Sequence, residues 1–363
     1  MEPELQKKQI RFYEIDLLRF LAALTVVIFH YTYRGYAEGN YSPVAYPWLG
    51  QFTKYGFLGV ELFFMISGYV VLLSAQGKTV RQFFLSRVTR LYPAFWAACT
   101  LTFLVKRIWG TGPADSYMSP NLWADVKQYV FSMTMLHSFF GLSPIDGAYW
   151  SLSVEIVFYF LISLLIGYKL LRHIDFFIAS WLVYAALPSA LHMGTPFAGL
   201  LLPDYAPYFA AGMLFYLLQQ PAERTWQRVG LLGFAYLLAL RCILGQIAAA
   251  TTTYHDAFSA PVAGIAITGF FLLFGLITLR IINLSKWTWL AWPGALTYSL
   301  YLLHSDIGFI VFHRLGHAVN KHTLLVNLVA AMILVAYLLH IGIEKRFSKL
   351  FGKQVSAWLT YFD

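Results

Sequence analysis

Arg19 and His30 lie eleven residues apart inside one apolar stretch, residues 15–33. At 3.6 residues per turn that offset is three turns plus about 20°, so both side chains face the same side of a helix, about 16 Å apart along its axis. An arginine at membrane depth costs about 2.5–3.5 kcal/mol on insertion scales, and a helix keeps one where it lines a polar cavity or meets a partner. Histidine, with an unperturbed pKa of about 6.5, is the side chain suited to taking a proton from a hydroxyl. The pair predicts one face of a hydrated chamber within the membrane, basic at one end and titratable at the other.

Further polar residues interrupt other apolar stretches. Glu61 stands early in the run that continues Phe63-Phe64-x-x-Ser67-Gly68-Tyr69. It is either a headgroup-level boundary residue or a site residue, and Ser67-Gly68 suits close helix packing as well as it suits a site. Arg87 and Arg90, spaced i, i+3, share a helical face ahead of Pro93, which is placed as an early helical residue. With Lys78 and Arg81 they are either ordinary positive anchoring or a phosphate clamp, for which guanidinium forks suit the geometry. Glu155 lies inside the run opened by Trp150-Ser151-Leu152-Ser153, with Tyr159 one turn on, and a carboxylate there needs a cationic partner or a wet cavity. Thr297, Tyr301 and His304 form a polar stripe at i, i+4, i+7 beside Tyr298. A lone buried histidine is commonly a satisfied core group; the stripe favours a positioning role.

These residues need a scaffold, and composition names its class. Hydrophobic residues make up 59% of the 363 and charged residues 12%, with a mean hydropathy of +0.61, far from a soluble domain. The fold expected is an all-α membrane bundle of about ten spans, at 15–33, 56–76, 90–109, 149–170, 174–190, 204–219, 229–247, 260–282, 291–313 and 323–343. The two around 174–219 are broken by Pro188, Pro196, Pro203 and Pro207. Residues 15–343 then form one transmembrane domain between a cytoplasmic N-terminal segment, 1–14, and a cytoplasmic tail, 344–363. Neither an internal repeat nor a low-complexity linker is visible.

A net charge of +9 raises the question of nucleic acid, but its distribution answers it. With the N-terminus inside, seventeen lysines and arginines fall on the cytoplasmic side, Lys7, Lys8, Arg11, Arg87, Arg172 and Lys345 among them. Eight, including Arg34, Lys54, Lys106 and Arg241, fall outside, so the basic balance is topology and both termini are expected in the cytoplasm. The first span is too long and too polar for a cleavable signal peptide. Cys99 and Cys242, in apolar runs, imply neither a disulfide framework nor a metal site. His313, His317 and His322 have spacing a metal could use, yet no thiol or carboxylate lies nearby, and no metal is expected. Residues 121–137 carry apolar positions at helical spacing and are expected to lie along the outer interface, ending at His137, which could face the chamber. No nucleophile elbow, P-loop or dinucleotide fingerprint is present.

Taken in order, Arg19-x10-His30, the 63–69 motif, Arg87-x-x-Arg90, Trp150-Ser-Leu-Ser-Val-Glu155 and Tyr298-Ser-Leu-Tyr-Leu-Leu-His304 resemble acyltransferase family 3, integral-membrane O-acyltransferases. The resemblance runs from about residue 11 to 343. It implies a multi-pass protein of the bacterial cytoplasmic membrane that moves an acyl group, typically acetyl, from cytoplasmic acyl-coenzyme A to a hydroxyl of a cell-envelope glycan or lipid-linked saccharide. It further implies that His30 is catalytic, that Arg19 is the other essential member of the motif, and that Arg87 and Arg90 serve the donor. Some relatives carry a soluble esterase-like domain after the last span; a chain ending at 363 is expected to act through the bundle alone or to hand the group to a separate protein.

On this reading Arg19, Arg87 and Arg90 hold the coenzyme A phosphates, and the pantetheine arm reaches along the first helix to His30. Neutral His30 then deprotonates the acceptor hydroxyl, with Glu155 orienting the imidazole and Tyr301 or Ser153 donating to the oxyanion. A covalent acyl-histidine or acyl-serine stays open. Glu61, Ser67, Tyr298 and His304 are expected to position substrates. The opposing readings are a glycan or lipid exporter and a polymer-assembly partner without turnover. Ten spans and buried polar groups suit an exporter equally well, but neither reading needs a histidine three turns from an arginine.

Overall fold

The computed structural model of the protein describes residues 12–112, 118–191, 196–220 and 224–360, so the expected cytoplasmic cations Lys7, Lys8 and Arg11 lie outside the described residues. Among the described residues every regular element is helical. In chain order the principal helices are α1 (Tyr13–Phe29), α2 (Gly59–Ala75), α3 (Val80–Trp109), α4 (Trp150–Gly167), α5 (Ile174–Leu191), α6 (Ala206–Leu218), α7 (Thr225–Tyr254), α8 (Ala260–Thr278), α9 (Ala291–Leu303), α10 (Ser305–Leu315), α11 (Lys321–Leu339) and α12 (Lys345–Thr360).

Among the described residues eight helical stretches are long and apolar enough to cross a membrane, and α9 with α10, bent by 65°, make a ninth if counted as one broken span. The chain is therefore a multi-pass helical membrane bundle. The shortfall from ten is α6. Its 13 residues rise only about 20 Å, too short to be counted by length against a hydrocarbon core of about 30 Å. Yet Arg228 at the start of α7 bonds both Asp175 at the start of α5 and the Leu217 carbonyl at the end of α6, so α6 returns the chain across the bundle. From Ala206 to Leu217 every α6 residue is buried, because α2, α5, α7 and α8 wrap it on all sides.

Small residues set the tightest crossing. A Cβ on Gly68 of α2 would strike the Phe209 carbonyl, and one on Gly212 of α6 would strike that of Met65. Each glycine thus accepts the other helix's backbone, the close approach that small residues permit in membranes. Ser67-Gly68 accordingly serves packing through Gly68. α1 lies between α2 and α9, with both against it, so the face carrying Arg19 and His30 looks into the bundle.

Three elements differ from expectation. α3 begins at Val80 rather than near residue 90, because Thr79 and Gln82 form a capping box there. Pro93 is therefore interior to a 30-residue helix, not at its start. Residues 121–137 are not one continuous helix: only Val126–Ser132 is α-helical, and its Tyr129 ring stacks on Phe103 of α3 at 4.6 Å. The expected tail after 344 is a helix, α12, laid on α3 through Phe351 against Trp96 and an Arg81 to Ser356 carbonyl hydrogen bond of 3.0 Å.

The break between α9 and α10 frees backbone groups at a depth without water, where each needs a protein partner. Tyr149 donates to the Leu302 carbonyl at 3.0 Å, Tyr31 to that of His304 at 2.8 Å, and the His304 ring to that of Tyr301 at 2.8 Å. On the far side, Asp146 Oδ2 accepts the Asp306 N–H at 3.0 Å. Lys106 Nζ, 1% exposed, pairs with Asp306 Oδ2 at 2.6 Å. Lys106 is thus an interior cation and not an outer-loop one. Arg241 is similarly occupied, donating to the Ala185 and Ala186 carbonyls.

Candidate active site

Two cavities meet at the middle of the bundle. The first, of about 140 Å³, is lined by Arg19 of α1, Arg87 and Arg90 of α3, Glu155 and Tyr159 of α4, and Thr297 and Tyr298 of α9. Arg87 is buried: its guanidinium lies over the Phe83 and Tyr159 rings and donates to Ser74 at 3.0 Å. Arg90, one turn on, is exposed at the rim. Glu155 Oε1 accepts hydrogen bonds from Ser67 at 2.7 Å and Tyr159 at 2.5 Å. Guanidinium forks suit the oxygens of an anionic ligand, and here a hydroxyl-bound carboxylate shares their cavity.

The second cavity, of about 360 Å³, is lined by His30, Arg34 and Glu38, by Glu61, and by Trp150, Tyr205, Gln246 and Tyr254. After Phe29, α1 passes into a π turn, His30–Arg34. Such turns recur at functional sites because the extra residue turns side chains out of the α register. Here it brings Arg34 Nη1 to 3.1 Å from His30 Nε2, while Arg34 Nε donates to Glu38 at 2.7 Å. His30 Nδ1 lies 2.8 Å from the Val26 carbonyl and 3.2 Å from His304 Nε2. The carbonyls at Val26 and Tyr301 assign the proton of both rings to Nδ1. His304 Nε2 is then an acceptor for His30, and the lone pair of His30 Nε2 points toward Arg34.

The linings of the two cavities share Val60 and Tyr301. Tyr301 Oη bonds Ser151 Oγ at 2.6 Å and donates to the Ala148 carbonyl at 3.1 Å. Arg19 and His30 thus both face the interior, one in each of two cavities that share Val60 and Tyr301.

Several sequence expectations change with this geometry. Glu155 lines the arginine cavity and not the histidine cavity, so it is placed among cations and hydroxyls, not to orient His30; His304 contacts the imidazole instead. Ser153 lines neither cavity. It accepts from Ser138 at 3.1 Å and faces the Met135 carbonyl, while Ser151, two residues earlier and so rotated about the helix, reaches Tyr301. Tyr298 lines the arginine cavity and donates to the Leu91 carbonyl at 3.2 Å. Glu61 is buried in the histidine cavity, and its Oε2 has no hydrogen-bond partner among the described residues, which sets it inside a site and not at a boundary. His137 is buried but lines neither cavity. Arg34 escaped the sequence reading because, four residues past His30, it looked like a loop cation; its i, i+4 spacing from His30 was the available signal. Gln246 and Tyr254, in the second half of α7, were missed too.

Among the described residues no three histidine, cysteine, aspartate or glutamate side chains gather closely enough to hold a metal.

Comparison with known proteins bears on this geometry. Residues 12–341 match the model of family 3 acyltransferases, described as an acyltransferase domain. The peptidoglycan O-acetyltransferase OatA of Listeria monocytogenes is 28% identical over 162 residues, 40% of this chain and 22% of the relative. The putative peptidoglycan O-acetyltransferase YrhL of Bacillus subtilis matches over the same shares. The O-acetyltransferase OatA of Staphylococcus aureus is 28% identical over 174 residues, 44% of this chain and 25% of the relative. The chain spans only about a quarter of the length of these curated relatives. No solved structure matches it significantly.

Proposed function

The chain belongs to the family 3 acyltransferases, and we propose that it is an integral-membrane O-acyltransferase carrying an acyl group, acetyl foremost, from acyl-coenzyme A to a hydroxyl of a cell-envelope saccharide. The acetyl group and the saccharide are suggested by the names of the relatives, which are peptidoglycan O-acetyltransferases. The single observation that carries the reading is the pair of cavities: an arginine-lined one and one holding a histidine whose Nε2 lone pair faces Arg34, their linings sharing Val60 and Tyr301.

In this reading Arg87, Arg90 and Arg19 hold the donor's phosphates, Arg90 at the rim and Arg19 deepest. Glu155, tied to Ser67 and Tyr159, keeps the guanidinium groups apart and oriented. That cavity opens on the cytoplasmic side, where acyl-coenzyme A is made, and the protein sits in the bacterial inner membrane with both termini in the cytoplasm. The acceptor enters the histidine cavity from the opposite side, its hydroxyls held by the unpartnered Glu61 oxygen and by Gln246.

His30 Nε2 takes the acceptor hydroxyl's proton as the oxygen attacks the thioester carbonyl. Arg34, 3.1 Å from that nitrogen, turns its N–H to the developing oxyanion, while the Tyr301 hydroxyl stays on Ser151 and the Ala148 carbonyl. The new C–O bond forms, the C–S bond breaks, and the thiolate leaves with the proton that His30 carried. Meanwhile the Val26 carbonyl and His304 Nε2 accept from Nδ1 and steady the imidazolium. No covalent acyl-enzyme is required, since donor and acceptor reach one centre from two sides.

The test is chemical. Wild type and His30→Ala are expressed at matched membrane levels and the O-acyl content of the surface saccharides is measured by mass spectrometry. The expected result is loss of the ester in the variant; equal ester content would remove His30 as the base. Consumption of labelled acyl-coenzyme A by purified protein separates this reading from an exporter, which would leave the thioester intact.

A further inference from the structure

Val60 and Tyr301 line both cavities, and each is held in place. Tyr301 is fixed at its hydroxyl by Ser151 and the Ala148 carbonyl. Its ring packs edge-on against Phe63, 5.7 Å between centroids, and lies 5.5 Å from the His304 ring. Val60, 6% exposed, stands in the first turn of α2, with Gly59 beside it pressed onto α1 at Ala22 and Val26. A β-branched side chain has one strongly preferred rotamer in a helix, so Val60 does not swing aside. The residues common to both linings are therefore one phenol and one isopropyl group, both anchored in close-packed surroundings that give way poorly. His30 lies on one side and the three arginines on the other.

We infer that Val60 and Tyr301 form the port through which the acyl group reaches His30, and that this port selects the acyl chain by length, favouring two carbons. The inference rests on the acyl-transfer reading above and adds the property that separates acetyl from longer donors. A thioester anchored by its phosphates among the arginines meets the acceptor hydroxyl only where the cavities join. Its carbonyl sits between Val60 and Tyr301 at that moment. The methyl of an acetyl group lies beside the isopropyl, whereas a longer chain, with the saccharide acceptor already filling the His30 cavity ahead of it, must press on Val60 or break Tyr301 from Ser151. Arg87, Arg90 and the coenzyme A portion are untouched by the acyl length, so discrimination appears at the port and not in donor binding. One methylene in a packed apolar site is worth about 10- to 200-fold in discrimination.

The experiment uses membrane vesicles carrying the full chain, the cell-envelope saccharide fraction as acceptor, and an equimolar mixture of acetyl-, butyryl- and hexanoyl-coenzyme A. Mass spectrometry gives the ratio of the esters formed. Wild type is expected to form acetyl esters almost alone. Val60→Ala is expected to raise the butyryl to acetyl ratio by about tenfold or more. Val60→Ile moves the ratio the other way and keeps the test alive should the alanine variant fold poorly. An unchanged ratio in both variants, with acetyl esters still formed, overturns the port. Absence of every ester from wild type, at normal membrane levels, overturns acyl transfer itself and the port with it.

Discussion

His304 Nε2 lies 3.2 Å from His30 Nδ1, joining the break between α9 and α10 to the end of α1 across 274 positions of the chain. Because His304 Nδ1 is occupied by the Tyr301 carbonyl, its other nitrogen can only accept, and the second ring fixes the tautomer of the first. His30 is then the base and His304 its positioning residue. His30→Ala is expected to cost about 10²- to 10⁴-fold in kcat. His304→Ala, which removes one hydrogen bond of about 1–1.5 kcal/mol, is expected to cost about tenfold in kcat, to leave the donor KM unchanged and to alter the acid limb of the pH–rate profile. His304→Gln, which still offers an acceptor, recovers part of the rate. Equal losses for the two alanine variants would show instead that both rings act on the substrate.

Arg34 touches the nitrogen on which the proposed chemistry turns. If it stabilises the oxyanion, Arg34→Ala lowers kcat by about 10²- to 10³-fold, the cost of removing one oxyanion donor. Arg34→Lys restores little, because a point ammonium cannot bond Glu38 and the oxyanion through one planar fork. A rise in acceptor KM with kcat untouched would assign Arg34 to acceptor binding.

The arginine cavity carries a separate prediction. Arg90, exposed at the rim, is placed to meet the donor's outermost phosphate, so Arg90→Ala raises the KM for acyl-coenzyme A about tenfold and flattens its salt dependence. Arg87 is held by Ser74 and two aromatic rings, so Arg87→Lys, which loses the stacked plane, weakens donor binding nearly as much as Arg87→Ala. Titration with coenzyme A alone reads both, without turnover. No change in either affinity would move the donor out of this cavity.

How far the sequence carries depends on which physics each feature obeys. The inward face of α1 was legible because Arg19 and His30 obey the α period, and α1 is regular between them. Gly68 was legible as a packing position, since small residues in apolar helices mark close approach. The break at His304 was not: neither Gly nor Pro stands at 303–305, and it is held by side chains distant in sequence, Tyr31, Tyr149 and Lys106. The π turn after Phe29 was equally silent, and with it went Arg34. Ser153 was misread for Ser151 because motif order names a serine without saying which way it faces; two helical residues differ by about 200°. The shortness and full burial of α6 were not legible, since an apolar run reads the same whether it meets lipid or protein.

Lys106 and Asp306 provide the sharpest stability test, since their pairing fixes the break that carries His304. Their side chains are 1% and 5% exposed, and Lys106 also donates to the Ile145 carbonyl at 2.5 Å, tying the loop before α4 to the same point. Removing one partner of a buried pair leaves the other charge uncompensated, at about 3–5 kcal/mol, whereas removing both charges together is nearly neutral. Lys106→Met is therefore expected to lower thermal stability in detergent sharply. Adding Asp306→Asn, which keeps an oxygen to accept the Gly147 N–H, recovers most of it. The recovered double variant should be folded yet slower, because the electrostatic tie at the break is gone while the hydrogen bonds around His304 remain. A single variant as stable as wild type would mean that the tyrosines alone hold the bend, and the slower kcat should then vanish as well.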